Sequence, residues 1–279
     1  METHLFGPTT RKIAVIGQGT WEIASGGSAA AVAALRHGLD LGMTHIDTAE
    51  MYGPAEEIIA KAIAGRREPV FLVSKVLPQN ASRKGTLEAC ERSLKRLDTD
   101  HLDCYLLHWR GRHPLQDTIS AFEQLKREWK ILSWGVSNFD VADLEEAFKI
   151  AGPGNIACNQ VLYHLEERGI EHAVLPWCEK HGVALVGYSP FGHGRFPGPR
   201  SERGRVLQEI ASTHQATPRQ VALSFLVRRS SLFTIPKASS AAHAAENAAA
   251  GDLKLTDAEL RRIDQAFPLG PRPRDLPTL

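Results

Sequence analysis

The sequence predicts an α/β fold, a single (β/α)8 TIM barrel domain over residues 1–279 with a short N-terminal β-hairpin in front of it. Three observations predict it. The length of 279 residues is within the range for one such barrel, so a single large core is the economical reading. Apolar runs rich in Val, Ile and Leu alternate with stretches of helical period, the pattern of parallel strands buried on both faces. Nearly every run also ends in a polar or titratable residue, as barrel strands do at the rim where the βα loops build a site.

The elements follow in order. Thr3 to Phe6 and Lys12 to Val15 flank the turn sequence Gly7-Pro8-Thr9-Thr10 and read as the hairpin. Barrel strands are expected at Ile13 to Gly17, Thr44 to Asp47, Val70 to Lys75, Leu102 to His108, Leu132 to Ser137, Ile156 to Gln160, Val183 to Tyr188 and Leu232 to Pro236. Between them, Ile119, Phe122 and Leu125 mark one helical stripe. Val221, Leu223, Phe225 and Leu226 mark another after Thr217-Pro218, where proline fits the first turn of a helix. Strands that alternate with helices specify a parallel sheet.

Composition removes several classes of function. With 33 basic and 32 acidic residues the chain has no field to attract nucleic acid or an anionic membrane. Met1-Glu2-Thr3-His4-Leu5-Phe6 has neither a basic nor an apolar leader segment, and no later run is long enough to span a bilayer, so a cytoplasmic protein is expected. Cys90, Cys104, Cys158 and Cys178 are scattered without a C-x-x-C pair, which predicts reduced thiols and neither a disulfide framework nor a zinc site. His113 and His181 have no companion at metal-ligand spacing and are expected on the surface. No metal is expected.

The strand tips carry the chemistry. They read Gly19-Thr20-Trp21, Asp47, Lys75, His108-Trp109, Ser137-Asn138, Gln160, Tyr188-Ser189 and Lys237. Taken singly, an aspartate is a helix cap, a lysine is solvated and a histidine satisfies a local hydrogen bond. Taken together, Asp47, Tyr52, Lys75 and His108 contain a proton donor and the groups that tune it. A free tyrosine titrates at about 10, and a lysine cation beside it lowers that value by stabilising the phenolate. Asp47 can hold Lys75 in place, and His108 can offer a second hydrogen bond to a substrate oxygen. Such a set serves the alkoxide that develops when hydride attacks a carbonyl, and the hydride must come from a cofactor. The common dinucleotide fingerprint is absent: Gly17-Gln18-Gly19 begins one, but Glu22 stands where its third glycine belongs. Gly17 and Gly19 read instead as residues that permit a tight turn at a strand end.

Asp47-Thr48-Ala49-Glu50-Met51-Tyr52-Gly53, Leu106-Leu107-His108-Trp109, Gly135-Val136-Ser137-Asn138-Phe139, Asn159-Gln160, Tyr188-Ser189-Pro190 and Ile235-Pro236-Lys237 resemble the signatures of the aldo-keto reductases, in order and over essentially the whole chain. The likeness is nearest to bacterial members with short loops. It implies an oxidoreductase that reduces an aldehyde or ketone to an alcohol by hydride transfer from NADPH, with Tyr52 as general acid in a tetrad with Asp47, Lys75 and His108. It also implies that Ser137, Asn138 and Gln160 hold the nicotinamide carboxamide, that Tyr188 stacks on the ring, and that Ser189, Pro190 and Phe191 begin a loop over the pyrophosphate. Gly19, Thr20 and Trp21 belong to the same cofactor set. Lys237, Ser239, His243, Glu246 and Asn247 fall at the adenosine 2′-phosphate and adenine. Trp21 and Trp109 would line the substrate cleft with Tyr52 and His108. The implied partner is a small carbonyl compound, with no nucleic acid or membrane, and the enzyme is expected as a monomer.

Three positions depart from the family pattern. Many members carry arginine where this chain has His243, so NADP(H) is favoured while NAD(H) stays open. Ala238 replaces a commonly hydroxylated residue. Trp129 stands where members usually have glycine, at the end of a helix, where it would strain a left-handed turn or change its geometry. Two other readings compete: a cofactor-binding regulatory subunit on the same fold, and another barrel enzyme such as a glycosidase, which needs two carboxylates facing each other across the rim.

Overall fold

The computed structural model describes residues 1–279. Two short strands, β1 (Thr3–Leu5) and β2 (Lys12–Ala14), pair antiparallel with Thr3 opposite Ala14. The barrel strands are β3 (Gln18–Gly19), β4 (His45–Asp47), β5 (Phe71–Val76), β6 (Leu102–Leu107), β7 (Ile131–Ser137), β8 (Ile156–Leu162), β9 (Ala184–Tyr188) and β10 (Leu232–Thr234). All are parallel, and each pairs with the next in the chain. Bridges from Ile16 to Thr234 and from Gly19 to Lys237 join the last strand to the first and close the ring.

The seam corrects two expectations. Ile13 to Gly17 is not one barrel strand: Ile13 and Ala14 lie in β2, and the barrel strand is the short β3. Ile13 through Ile16 form an unbroken buried run because the hairpin packs under the barrel, so burial alone does not mark where one strand gives way to the other. No turn is found at Gly17 or Gly19: Gly19 lies in β3 and Gly17 directly before it, and neither has a positive φ. Space requires them. A side chain at Gly17 would meet the His45 ring at 2.9 Å, and one at Gly19 the Ile235 carbonyl oxygen at 2.5 Å.

Helices α1 (Ser28–Asp40), α2 (Ala55–Ile63), α3 (Arg83–Leu97), α4 (Leu115–Arg127), α5 (Val141–Ala151) and α6 (Val174–His181) follow β3 to β8 in turn. After β9 come α7 (Glu202–Thr213) and α8 (Pro218–Leu226), and after β10 come α9 (Ala241–Ala249) and α10 (Asp257–Ala266). The start of α8 is fixed by its sequence: the Thr217 side chain accepts the Gln220 N–H, the Gln220 side chain accepts the Thr217 N–H, and Pro218 occupies the first turn. Ile119, Phe122 and Leu125 are buried on the inner face of α4.

Apolar side chains form two bodies. One fills the barrel, with Val15, Phe71, Val73, Leu106, Val186 and Phe233 among its members. The other lies between strands and helices and includes Leu72, Tyr105, Phe122, Trp134 and Leu185. Phe6, from the hairpin, plugs the base of the barrel, its ring centroid 4.9 Å from Phe71 and 5.2 Å from Phe233. The strands therefore open at their C-terminal ends only.

Trp129 sits between α4 and β7 with φ +59°, and the helix-ending bonds from its N–H to the Lys126 carbonyl and from the Lys130 N–H to the Leu125 carbonyl are both made. Of the two alternatives, the geometry is kept and the residue is strained, with its indole 76% exposed. The two histidines expected on the surface are half-buried. His181 stacks on Trp177 one turn earlier in α6, centroids 4.2 Å apart, and touches Phe148 of α5; His113 lies against the Gln79 carbonyl. All four cysteines are buried and unpaired. No helix is long and apolar enough to cross a membrane.

Candidate active site

The polar tips converge because parallel barrel strands end on one rim. Asp47 ends β4, Lys75 lies near the end of β5, His108 follows β6, Ser137 ends β7 and Tyr188 ends β9. Tyr52 arrives on the loop between β4 and α2. That loop is pinned from beneath: the Glu50 N–H donates to the Lys75 carbonyl, and the Glu50 carboxylate accepts from the Leu77 N–H at 2.6 Å and from Asn80 Nδ2 at 3.0 Å. The Tyr52 N–H closes a turn onto the Ala49 carbonyl.

Lys75 is wholly buried and donates to Asp47 Oδ1 at 2.5 Å and to the Thr48 carbonyl at 2.8 Å. The other carboxylate oxygen of Asp47 accepts from Gln160 Nε2 at 2.7 Å, so the lysine's partner is itself held from across the barrel. Lys75 Nζ lies 5.1 Å from the centre of the Tyr52 ring, and the Tyr52 and His108 rings meet edge to face at 5.7 Å. Asn138 ties the next tips together. Its Nδ2 donates to the His108 carbonyl, and its Oδ1 accepts from the Tyr188 hydroxyl at 2.9 Å.

Burial works against the Lys75 ammonium, but the adjacent Asp47 carboxylate, followed by Tyr52, raises its pKa above the ordinary lysine value. Burial also pushes the Tyr52 phenol up, the Lys75 cation pulls it back, and Asp47 adds a smaller upward push. The downward pull expected from Lys75 is present, but burial outweighs it and the net direction for Tyr52 is upward. Spacing along a chain reports a nearby cation but not how far a side chain is withdrawn from water. His108 is held at about 3, first by burial and then by Lys75, so its imidazole is neutral at physiological pH.

These groups open on a cavity of about 400 Å³. Of the expected residues, Gly19, Thr20, Trp21, Asp47, Tyr52, His108, Trp109, Ser137, Asn138, Gln160, Tyr188, Ser189, Pro190, Phe191 and Lys237 line it, while Lys75 lies behind its wall. Ser239, His243, Glu246 and Asn247 lie outside the lining, around the start of α9. There Ser240 caps the helix by accepting the His243 N–H, Glu246 accepts the Thr217 hydroxyl at 2.7 Å, and the buried Asn247 Nδ2 has no partner. Glu22, Met51, His193, Gly194, Ile235 and Leu279 complete the lining. Met51 and Ile235 stand inside the quoted motifs and could have been found by their adjacency to Tyr52 and Lys237. His193, whose ring stacks on Trp21 at 5.1 Å and 17°, and Leu279 are brought in by a long loop and by the tail, which carry no periodic signal. The cavity's two carboxylates are not a free facing pair, because both oxygens of Asp47 are bonded and Glu22 is exposed on the outer loop. No group of three or more His, Cys, Asp or Glu side chains is placed to hold a metal ion.

The fold and site define a closed β/α barrel whose rim sets a buried cation behind a tyrosine, next to a neutral histidine, at the mouth of one cavity. The Aldo/keto reductase family model matches residues 15–267, and the chain belongs to that family. It is similar to the methylglyoxal reductase YeaE of Escherichia coli, 45% identical over 257 residues that cover 91% of this chain and 90% of the relative. The glyoxal reductase of Bacillus subtilis is 33% identical, over 93% of this chain and 92% of its own length. Among solved structures, an aldo-keto reductase from Klebsiella pneumoniae in complex with NADPH superposes with a TM-score of 0.93 at 42% identity, covering 100% of both chains.

Proposed function

We propose that this chain reduces an aldehyde or ketone to an alcohol with NADPH, the Tyr52 hydroxyl protonating the carbonyl oxygen. The observation that carries the reading is the buried Lys75–Asp47 pair behind Tyr52, because a phenol that gives up its proton leaves a phenolate that needs a fixed cation. When bound, NADPH supplies the hydride that attacks the carbonyl carbon. Tyr52, its pKa raised, holds its proton at neutral pH and passes it on as negative charge gathers on the oxygen. Lys75 stays charged through that transfer because Asp47 and Gln160 keep it fixed. His108, being neutral, can donate an N–H to the same oxygen without adding charge to the site.

Ser137, Asn138 and Gln160 would hold the cofactor's carboxamide, Tyr188 would pack on its ring, and Ser189, Pro190 and Phe191 would begin the loop across its pyrophosphate. Lys237, Ser239, His243, Glu246 and Asn247 would take the adenosine 2′-phosphate and adenine. One feature supports this fit: amides and hydroxyls crowd one wall of the cavity. The relatives named for methylglyoxal and glyoxal make small 2-oxoaldehydes the first substrates to try. Four unpaired cysteines agree with work in the cytoplasm.

The test is NADPH and NADH oxidation against a panel of 2-oxoaldehydes, aldehydes, ketones and keto esters, repeated with Tyr52→Phe. That variant is expected to bind cofactor normally and to lose about 10²- to 10⁴-fold in turnover. Near wild-type turnover in Tyr52→Phe would remove Tyr52 as the acid.

A further inference from the structure

The chain contains seven sulfur atoms, in three methionines and four cysteines. Six of them are shielded. The cysteines are each at most 1% exposed, Met43 is wholly buried, and the Met1 side chain is 6% exposed against Gly251 and Gly42. Burial also raises the thiols of Cys90, Cys158 and Cys178, withdrawing them from the thiolate form that peroxides attack. The remaining sulfur is that of Met51, 47% exposed in the turn that carries Tyr52. Its surroundings are not ordinary surface. Exposed large apolar side chains are few in this molecule, and four of them, Trp21, Met51, Trp109 and Leu279, stand together on the wall of the active-site cavity.

We propose that Met51 is a reversible oxidation site, at which a hydroperoxide converts part of the apolar collar of the active site into a polar group. The Met51 Sδ lone pair attacks one oxygen of hydrogen peroxide. An S–O bond forms as the O–O bond breaks, and the second oxygen takes the proton and leaves as water. Sulfur loses two electrons and the peroxide gains them. A dithiol-dependent sulfoxide reductase reverses the step, the two thiols closing to a disulfide and the oxygen leaving as water. No ionisation is needed, so the thioether reacts where the buried thiols do not. The sulfoxide oxygen would stand beside Tyr52 and remove apolar contact from a substituent on the carbonyl. This kinetic consequence rests on the reductase reading, whereas the place of oxidation does not.

The full-length chain is exposed to hydrogen peroxide over a time course, digested and mapped by mass spectrometry, in parallel with Met51→Leu. The expected result is one added oxygen on the peptide that carries Met51 before any appears on Met1, Met43 or the cysteines, and its removal by a methionine sulfoxide reductase with a dithiol. For an aromatic aldehyde, KM is expected to rise about fivefold in the oxidised chain, with a smaller change in kcat, while treated and untreated Met51→Leu agree with each other. Oxygen appearing on Met43 or on a cysteine as fast as on Met51 overturns the proposal. An equal change in KM for treated wild type and treated Met51→Leu also overturns it. If the untreated chain turns over no carbonyl, the reductase reading fails, and the peptide map still decides where oxygen is added.

Discussion

Trp129 holds a left-handed backbone that glycine adopts freely, and most of its indole is in water, so little packing offsets the strain. Trp129→Gly is therefore expected to stabilise the fold by about 1 kcal/mol, raising Tm by roughly 2 °C in a chain of this size. Differential scanning calorimetry on the two proteins checks it, and a lower Tm for the glycine variant would mean that the indole has a packing role. Cofactor choice is also decided by single residues. Lys237 is exposed on the cavity wall, where an ammonium suits a phosphate. Lys237→Ala is expected to weaken NADPH about tenfold to a hundredfold and NADH little, since only NADPH loses a charge-assisted contact. His243→Arg should act in the opposite sense, placing a permanently charged fork at the start of α9. Dissociation constants from fluorescence quenching decide the matter, and equal changes for the two cofactors would put the 2′-phosphate elsewhere.

At the scale of elements, the hairpin is what turns an open-ended ring of strands into a barrel with one mouth. Phe6 packs against Phe71, Phe233 and His45 at the base, so Phe6→Ala should cost about 3–5 kcal/mol, read as a lower midpoint in urea. Because the base lies at the far end from Tyr52, turnover per folded molecule should hold, and a loss below about 1 kcal/mol would show that the plug is dispensable. The hairpin also marks the limit of what could be read in advance. The period of the apolar runs and the residues at their ends located the strands and the rim, because both are local properties of the chain. The division between β2 and β3 was hidden because one buried run serves two strands. The loop from Gly192 and the tail to Leu279 were legible as segments beside the cleft, but which of their residues reach it was not, because both segments are irregular. The roles of Gly17 and Gly19 depend on His45 and Ile235, distant neighbours that only the closed barrel brings near. Gln160 was placed on the rim correctly, but its bond to Asp47 spans the barrel and has no trace in local sequence.

For the molecule as a whole, histidines withdrawn from water couple stability to pH: His45 and His108 most strongly, and the partly buried His164 in the same direction. His45 is wholly buried at the base of the barrel between Phe6 and Phe71, and neither ring nitrogen has a partner. Burial lowers its pKa from 6.5 to about 4. The Asp47 carboxylate pushes back, Lys75 lowers it further, and Asp103 gives a smaller upward push. His108 is lowered from 6.5 to about 3 by burial and Lys75. In both cases the unfolded chain binds the proton more readily than the native one. Their contribution to stability is therefore complete above about 6.5 and is withdrawn as pH falls toward 4 and then 3, at about 1.4 kcal/mol per pKa unit for each group before any relaxation of the site. Glu171, held near 2 between Arg168 and Arg228 despite its burial, acts in a lower window, with stability lost as pH falls from 4.5 toward 2. The first loss of stability on acidification should therefore come from histidine, before any carboxylate protonates. Urea midpoints at pH 7 and pH 5 should differ clearly in the wild type and by a smaller amount in His45→Leu, which keeps His108 and His164 but cannot titrate at the base. The comparison uses the pH-dependent difference within each protein, so a change in packing caused by leucine cancels. Equal midpoints at the two pH values in the wild type would mean that the base of the barrel admits a proton, or a water to solvate it, without unfolding.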